Sequence, residues 1–293
     1  MSYRSTHREI LGEPQDYRPR AGAKWALFDP GYRLTNARQG AKGAAARAND
    51  APMRRSTPGV RTADDLLPPR IRRAEWRNAE AVIAHLEPMV SDRRKERIQA
   101  TLQQRLSSVT VLFDTPYDPH NGAAVIRSCE AFGVQSLHVV ERDTRFLVSD
   151  TVTRGADKWV DVACHASATS AIELVRAQGF ELVAAEADGD LEPADLEHIP
   201  KLALVLGAER DGVSEELMGA ATRRVRVPMR GFVESLNVSV TAAILLAHAT
   251  RNRPGDLSLA DQRRIYARGL YFSVRRAEDV LRHLEELESG SAP

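Results

Sequence analysis

Two cysteines in 293 residues, Cys129 and Cys164, are too few for a disulfide framework. Neither sits in a Cys-x-x-Cys pair or near a histidine at zinc spacing, so no structural metal is expected. Long apolar runs are also missing. No stretch approaches the roughly 20 apolar residues that a bilayer crossing needs, and the N-terminus lacks the apolar segment of a secretory signal. A cytoplasmic protein is therefore expected. Nor is there an excess charge of one sign, since 41 Lys and Arg almost cancel 40 Asp and Glu. The distribution is less even: the first 75 residues carry roughly 15 basic against about 8 acidic side chains. That end suits a polyanion, or is a tail kept solvated by its charge.

The chain is long enough for one substantial core with appendages, and 43% of its side chains are hydrophobic. Periodicity is absent from the first 70 or so residues, which mix Gly, Pro, Arg and Ala, and residues 1–72 read as a basic, mostly disordered extension. From Trp76 to Leu106 the pattern is helical, broken at Pro88 and restarted behind Ser91 and Asp92. Residues 73–107 thus form an Arg-rich helical segment. Next, short apolar runs alternate with helical stretches: strands are expected at 109–113, 136–140, 158–162, 180–185, 202–207 and 223–229, and helices at 121–132, 168–178, 214–221 and 235–252. Strand and helix in turn imply an α/β domain over 108–253, a mostly parallel sheet with helices on both faces. Residues 254–293 open with Pro254-Gly255 and form a C-terminal helical extension.

Three loops follow three of these strands, and ligand sites in such folds lie at the carboxyl ends of strands. The first, DTPYDPHNGAAVIRSCEAFGV, sets a turn at Asp118-Pro119, offers Asn121 as a helix cap and places Arg127 two turns into the helix. The second, LGAERDGVSEEL, runs from a buried strand into a helix through Gly207 and Gly212, which let backbone amides approach a ligand. It is neither a Walker loop nor a dinucleotide fingerprint. In the third, VPMRGFVESLNVSVTAAILLAH, Pro228 and Gly231 shape a loop, and Ser235, Asn237 and Ser239 bring short hydrogen-bonding groups to a helix start. That helix is almost wholly apolar, so it belongs under the sheet or in a subunit interface. Taken singly, each of these residues also has a plain role: Asn121 as a cap, His120 as a turn residue, Arg127 as a surface arginine.

Together, Asn-x5-Arg, Leu-Gly-x-Glu-x-x-Gly and Pro-Met-x-Gly-x-x-x-Ser-Leu-Asn-Val-Ser occur in order, each after its strand. From about Arg97 to Arg253 the chain resembles the SpoU/TrmH family, the ribose 2′-O-methyltransferases of the SPOUT superfamily. The resemblance implies a deep C-terminal trefoil knot, a homodimer and S-adenosylmethionine as cofactor. It makes Arg127 the catalytic arginine, with Asn121 placing the ribose and Glu209, Ser235 and Asn237 completing the active site. The cofactor would lie against Leu206, Gly207, Glu209 and Gly212 of the second loop. From the third loop it would meet Val227, Pro228, Met229, Gly231, Ser235, Leu236 and Asn237. The helix before the first strand resembles the tRNA guanosine-18 subgroup. Arg97 and Arg105, about two turns apart on what reads as one helix face, join Arg251 and Arg253 as implied RNA contacts. The implied reaction is 2′-O-methylation of tRNA at guanosine 18 of the D-loop. A ribosomal RNA or tRNA-anticodon methyltransferase, or an RNA-binding relative without catalysis, are the alternatives.

Overall fold

The computed structural model describes residues 60–62, 78–141, 146–208 and 210–290, with side chains throughout these except at 60–62, 147, 150 and 285–290. All of them fall within the unit Arg54–Pro293. The extension expected over 1–72 lies outside the described residues, apart from strand β1 (Val60–Thr62). β1 pairs antiparallel with β4 (Leu147–Ser149), which runs directly into the single turn α4 (Asp150–Thr153).

The nine residues of β2, Leu106–Asp114, form the centre of a six-stranded sheet. Its neighbours are β3 (Val134–Val140) and β7 (Leu202–Leu206); β5 (Asp161–His165) lies beyond β3, while β6 (Glu181–Ala185) and β8 (Arg223–Val225) lie beyond β7. Every pairing in this sheet is parallel. A parallel sheet must be covered on both faces, which explains the near-continuous apolar runs. Val109, Val111 and Phe113 of β2 point into one core, which α3 (Pro119–Ala131) and α7 (Val238–Ala249) cover. Leu112 points into the other, under α5 (Ala168–Ala177) and α6 (Glu215–Ala220). α3 follows β2 onto one face and α6 follows β7 onto the other, the kind of reversal beside which α/β sheets bind their ligands.

The expected strand 158–162 is displaced to Asp161–His165. Ala156–Lys158 form a 3-10 turn entered through Gly155 in the left-handed region (φ 88°), and Trp159 leaves the sheet to pack on a separate helical cluster. The strand expected at 223–229 stops at Val225, because the chain leaves the sheet edge to build the third loop. The helix expected from 235 starts at Val238 behind the Asn237 cap.

The helical cluster is formed by α1 (Ala79–Leu86), α2 (Asp92–Leu102), α8 (Leu259–Ser273) and α9 (Ala277–Gly290). Ile83, Leu86, Ile98 and Leu102 share a core with Ile265, Tyr266 and Leu270. The two helical segments expected on either side of the α/β domain are therefore halves of one packed unit. Asp256 joins it to the sheet: its carboxylate accepts from the Ser107 and Ser108 backbone amides at the head of β2, and its own amide donates to Arg105 O at 3.0 Å. None of the described helices is long and apolar enough to cross a membrane.

Candidate functional site

Beyond the carboxyl ends of β6, β7 and β8 lies a cleft of about 500 Å3. Leu206, Val225 and Val227 supply apolar walls, and the third loop closes it with Met229, Ser235, Leu236 and Asn237. The cleft is within the usual range for a small-molecule site and has its usual make-up, apolar sides with a few polar groups.

The second loop is a tight return. Ala208 N donates to Gly212 O at 2.9 Å and Gly212 N donates back to Ala208 O at 3.0 Å. A Cβ at Gly207 would lie 2.1 Å from the Gly212 carbonyl carbon, and Gly212 itself has φ +68°. The two glycines are thus needed for the loop to close on itself, rather than only for a ligand to approach. Glu209 lies outside the described residues.

The three loops are joined by polar contacts between residues far apart in sequence. Asn237 Nδ2 donates to Asn121 Oδ1 at 3.1 Å, joining the third loop to the first turn of α3. The Asn237 side-chain oxygen accepts from Ser239 N at 2.9 Å, so one asparagine both caps α7 and reaches the first loop. Asp114, buried at the end of β2, accepts from Ser214 N at 2.8 Å and from the Thr115 hydroxyl at 3.0 Å, tying the first loop to the second. Asp114 was not singled out in the sequence; a carboxylate at the carboxyl end of an apolar strand was the available signal. Asn121 is not the cap of α3. Asp118 accepts from His120 N at 2.8 Å, and Pro119 occupies the first turn, which sets Asn121 inside the helix with its side chain toward the third loop.

Of the residues expected around the cofactor, Leu206, Gly207, Gly212, Val227, Met229, Ser235, Leu236 and Asn237 line the cleft, whereas Pro228 and Gly231 do not. Sequence reasoning missed the contribution of the loop after β6, where Ala185, Glu186 and Ala187 form part of the wall. That loop is held by Glu186 N donating to Val225 O at 2.9 Å, and by Gly189, whose Cβ would lie 2.6 Å from the Val225 carbonyl carbon. Such close backbone packing is a tertiary property. Arg127 is exposed on α3 and is not among the residues lining the cleft.

The four arginines expected on RNA behave differently from one another. α2 ends at Leu102, so Arg105 shares no helix face with Arg97; it turns inward with 1% exposure. Its guanidinium donates to Gln135 Oε1 at 2.6 Å and Val134 O at 3.1 Å, and burial lowers its pKa. Arg253 is half-buried and clamps carbonyls, donating to Ala249 O at 2.7 Å, Pro200 O at 2.9 Å and Leu196 O at 3.1 Å. Both are structural cations. Arg97 and Arg251 remain exposed. Arg97, Arg105 and Arg253 line a second cleft at the amino end of the strands, opposite the first. Arg253→Ala is expected to cost about 1–3 kcal/mol through the carbonyls it leaves unsatisfied, measured by urea denaturation. Unchanged stability would instead return Arg253 to the RNA contact that the family resemblance implies.

Residues 108–247 match the model of the SpoU rRNA Methylase family. A tRNA (guanosine(18)-2′-O)-methyltransferase of Thermus thermophilus is 34% identical over 164 residues, 56% of this chain and 84% of that protein. One from Escherichia coli K12 is 30% identical over 161 residues, 55% of this chain and 70% of that protein. Among solved structures, the A. aeolicus TrmH/SpoU tRNA modifying enzyme superposes with a TM-score of 0.57 at 27% identity, covering 63% of this chain and 98% of that one.

Proposed function

Because this chain belongs to the SpoU methylase family, shown by its 34% identity over most of the Thermus relative, we propose that it methylates a ribose 2′-hydroxyl of tRNA at guanosine 18. The observation that carries the reading is the Asn237–Asn121 hydrogen bond, which joins the wall of the cleft to the helix bearing Arg127 across 116 residues of sequence. The relatives named for guanosine 18 support the choice of nucleotide.

The cleft fits S-adenosylmethionine: apolar walls suit an adenine ring, and the backbones of the second and third loops offer edges to read it. When bound, the cofactor supplies a methyl group already activated on a sulfonium. The remaining work belongs to the protein. Asn121 would place the ribose, with Asn237 completing the active site beside it, and alignment of a reacting group supplies up to roughly 7–11 kcal/mol in intramolecular models. For transfer to occur the 2′-hydroxyl would also have to give up its proton, which would pass to solvent water. The Arg127 guanidinium contacts the neighbouring RNA phosphate and stabilises the developing alkoxide. Glu209 and Ser235 belong to the same proposed active site.

A homodimer is part of the proposal. Ala242, Leu245, Leu246 and Ala249 bury one side of α7 against the core, while Val240 stays exposed and Ile244 half-buried on the other. Met229, Phe232, Val233 and Leu236 extend that open apolar surface into the third loop. Pairing of two copies there would cover it and bring a second α3 toward the cleft. The trefoil knot and the contact of Arg97 and Arg251 with RNA belong to the same reading. The test is transfer of labelled methyl from S-adenosylmethionine to unmodified total tRNA, followed by mapping of the ribose-protected position. Label at position 18 is expected; label only in ribosomal RNA, or none, would overturn the assignment.

A further inference from the structure

The first loop carries an aromatic side chain that the hydrophobic core leaves outside. Tyr117 is 49% exposed, yet its polar contacts set its position. Its hydroxyl donates to Asp211 Oδ2 at 3.1 Å, and the Arg210 guanidinium stands 5.8 Å from its ring centroid. Arg210 also lines the cleft, which places the ring at the rim. The backbone beneath is anchored as well, with Thr115 held at φ 46° and Asp114 bonded to Ser214 N. An exposed ring adds little burial to folding, but a ring oriented by a carboxylate at its tip and a cation at its side is a rigid apolar surface with little entropy left to lose on binding.

Resting on the methyltransferase reading above, we propose that Tyr117, together with Arg210, is the platform on which an unstacked base of the RNA substrate stacks as its ribose enters the cleft. Single-stranded RNA loops are recognised by splaying bases onto aromatic rings and guanidinium planes. The cation beside the ring strengthens the stack and attracts the adjoining phosphate. Phe232 is also fully exposed, but it lies in the apolar run that continues onto α7 and belongs to the proposed subunit contact.

A bland role for Tyr117 would be to tether the first loop to the second through its hydroxyl, and substitutions separate the two. Tyr117→Phe keeps the ring and loses the bond to Asp211; Tyr117→Ala loses both. Stacking predicts that Tyr117→Ala raises the KM for a tRNA transcript roughly tenfold or more, with kcat and the S-adenosylmethionine Kd changed far less, and that Tyr117→Phe retains most of the affinity. A Tyr117→Phe protein as impaired as Tyr117→Ala, or a Tyr117→Ala protein with the wild-type KM, would overturn the platform alone. A wild-type chain that transfers no methyl to tRNA would overturn the parent reading, and this inference with it.

Discussion

Replacing Arg127 by alanine is expected to lower methyl transfer by about two to three orders of magnitude while leaving the S-adenosylmethionine Kd within about twofold. The split follows from where the residue lies. Arg127 is exposed on α3 and does not line its own chain's cleft, so its removal takes nothing from that wall. On the proposed reading, what is lost is the guanidinium that the alkoxide needs only as it forms. Lysine should rescue poorly, since it carries the charge but not the planar fork that grips a phosphate. Single-turnover kinetics with calorimetric titration of the cofactor would check this. Undiminished turnover in the alanine variant removes Arg127 from the chemistry, and a joint loss of turnover and cofactor affinity would mean that it supports the fold of the site instead.

The second large effect is expected at the opposite end of the sheet. Asp161, the first residue of β5, accepts from Arg268 at 2.6 Å and from Arg264 at 2.8 Å, while Gln135 links it to Arg105. Burial by itself would raise the Asp161 pKa, but the two guanidiniums outweigh it and hold the carboxyl well below its usual range. Asp161→Asn leaves Arg268, 1% exposed, facing a neutral amide. Breaking a buried pair from one side costs about 3–5 kcal/mol, enough to unfold much of a marginally stable protein. The pH dependence has a definite sign. A depressed folded-state pKa means the contribution is fully present above the unfolded carboxylate value of about 3.9 and is lost as the pH falls below it. Urea denaturation of wild type and variant at pH 7 and pH 3 should show a large gap that narrows in acid. A gap under about 1 kcal/mol at pH 7 would show that the network contributes little net stability.

How much of this was legible beforehand differs from element to element. The long core strands announced themselves because both faces of a parallel sheet are covered, and β2, β3, β6 and β7 come within a few residues of their expected positions. β5 did not, because Trp159 reads as a strand residue and is recruited by a helical cluster whose other members lie 57 to 122 residues away in sequence. Arg97 and Arg105 look alike along the chain. Only the end of α2 at Leu102 and the polar seat offered by Gln135 and Val134 O turn one outward and the other in.

The amino-acid sequence by itself determined the α/β alternation, the three loops and their order, and through them the family and the class of reaction, because these depend on local pattern and spacing. Tertiary structure alone decided which arginines are spent on internal carbonyls and that the two flanking helical segments share one core. It also showed that Asn237 reaches Asn121 while Arg127 stands outside its own chain's cleft. Burial and hydrogen-bond partners are set by which distant segments meet, and local spacing carries no record of that.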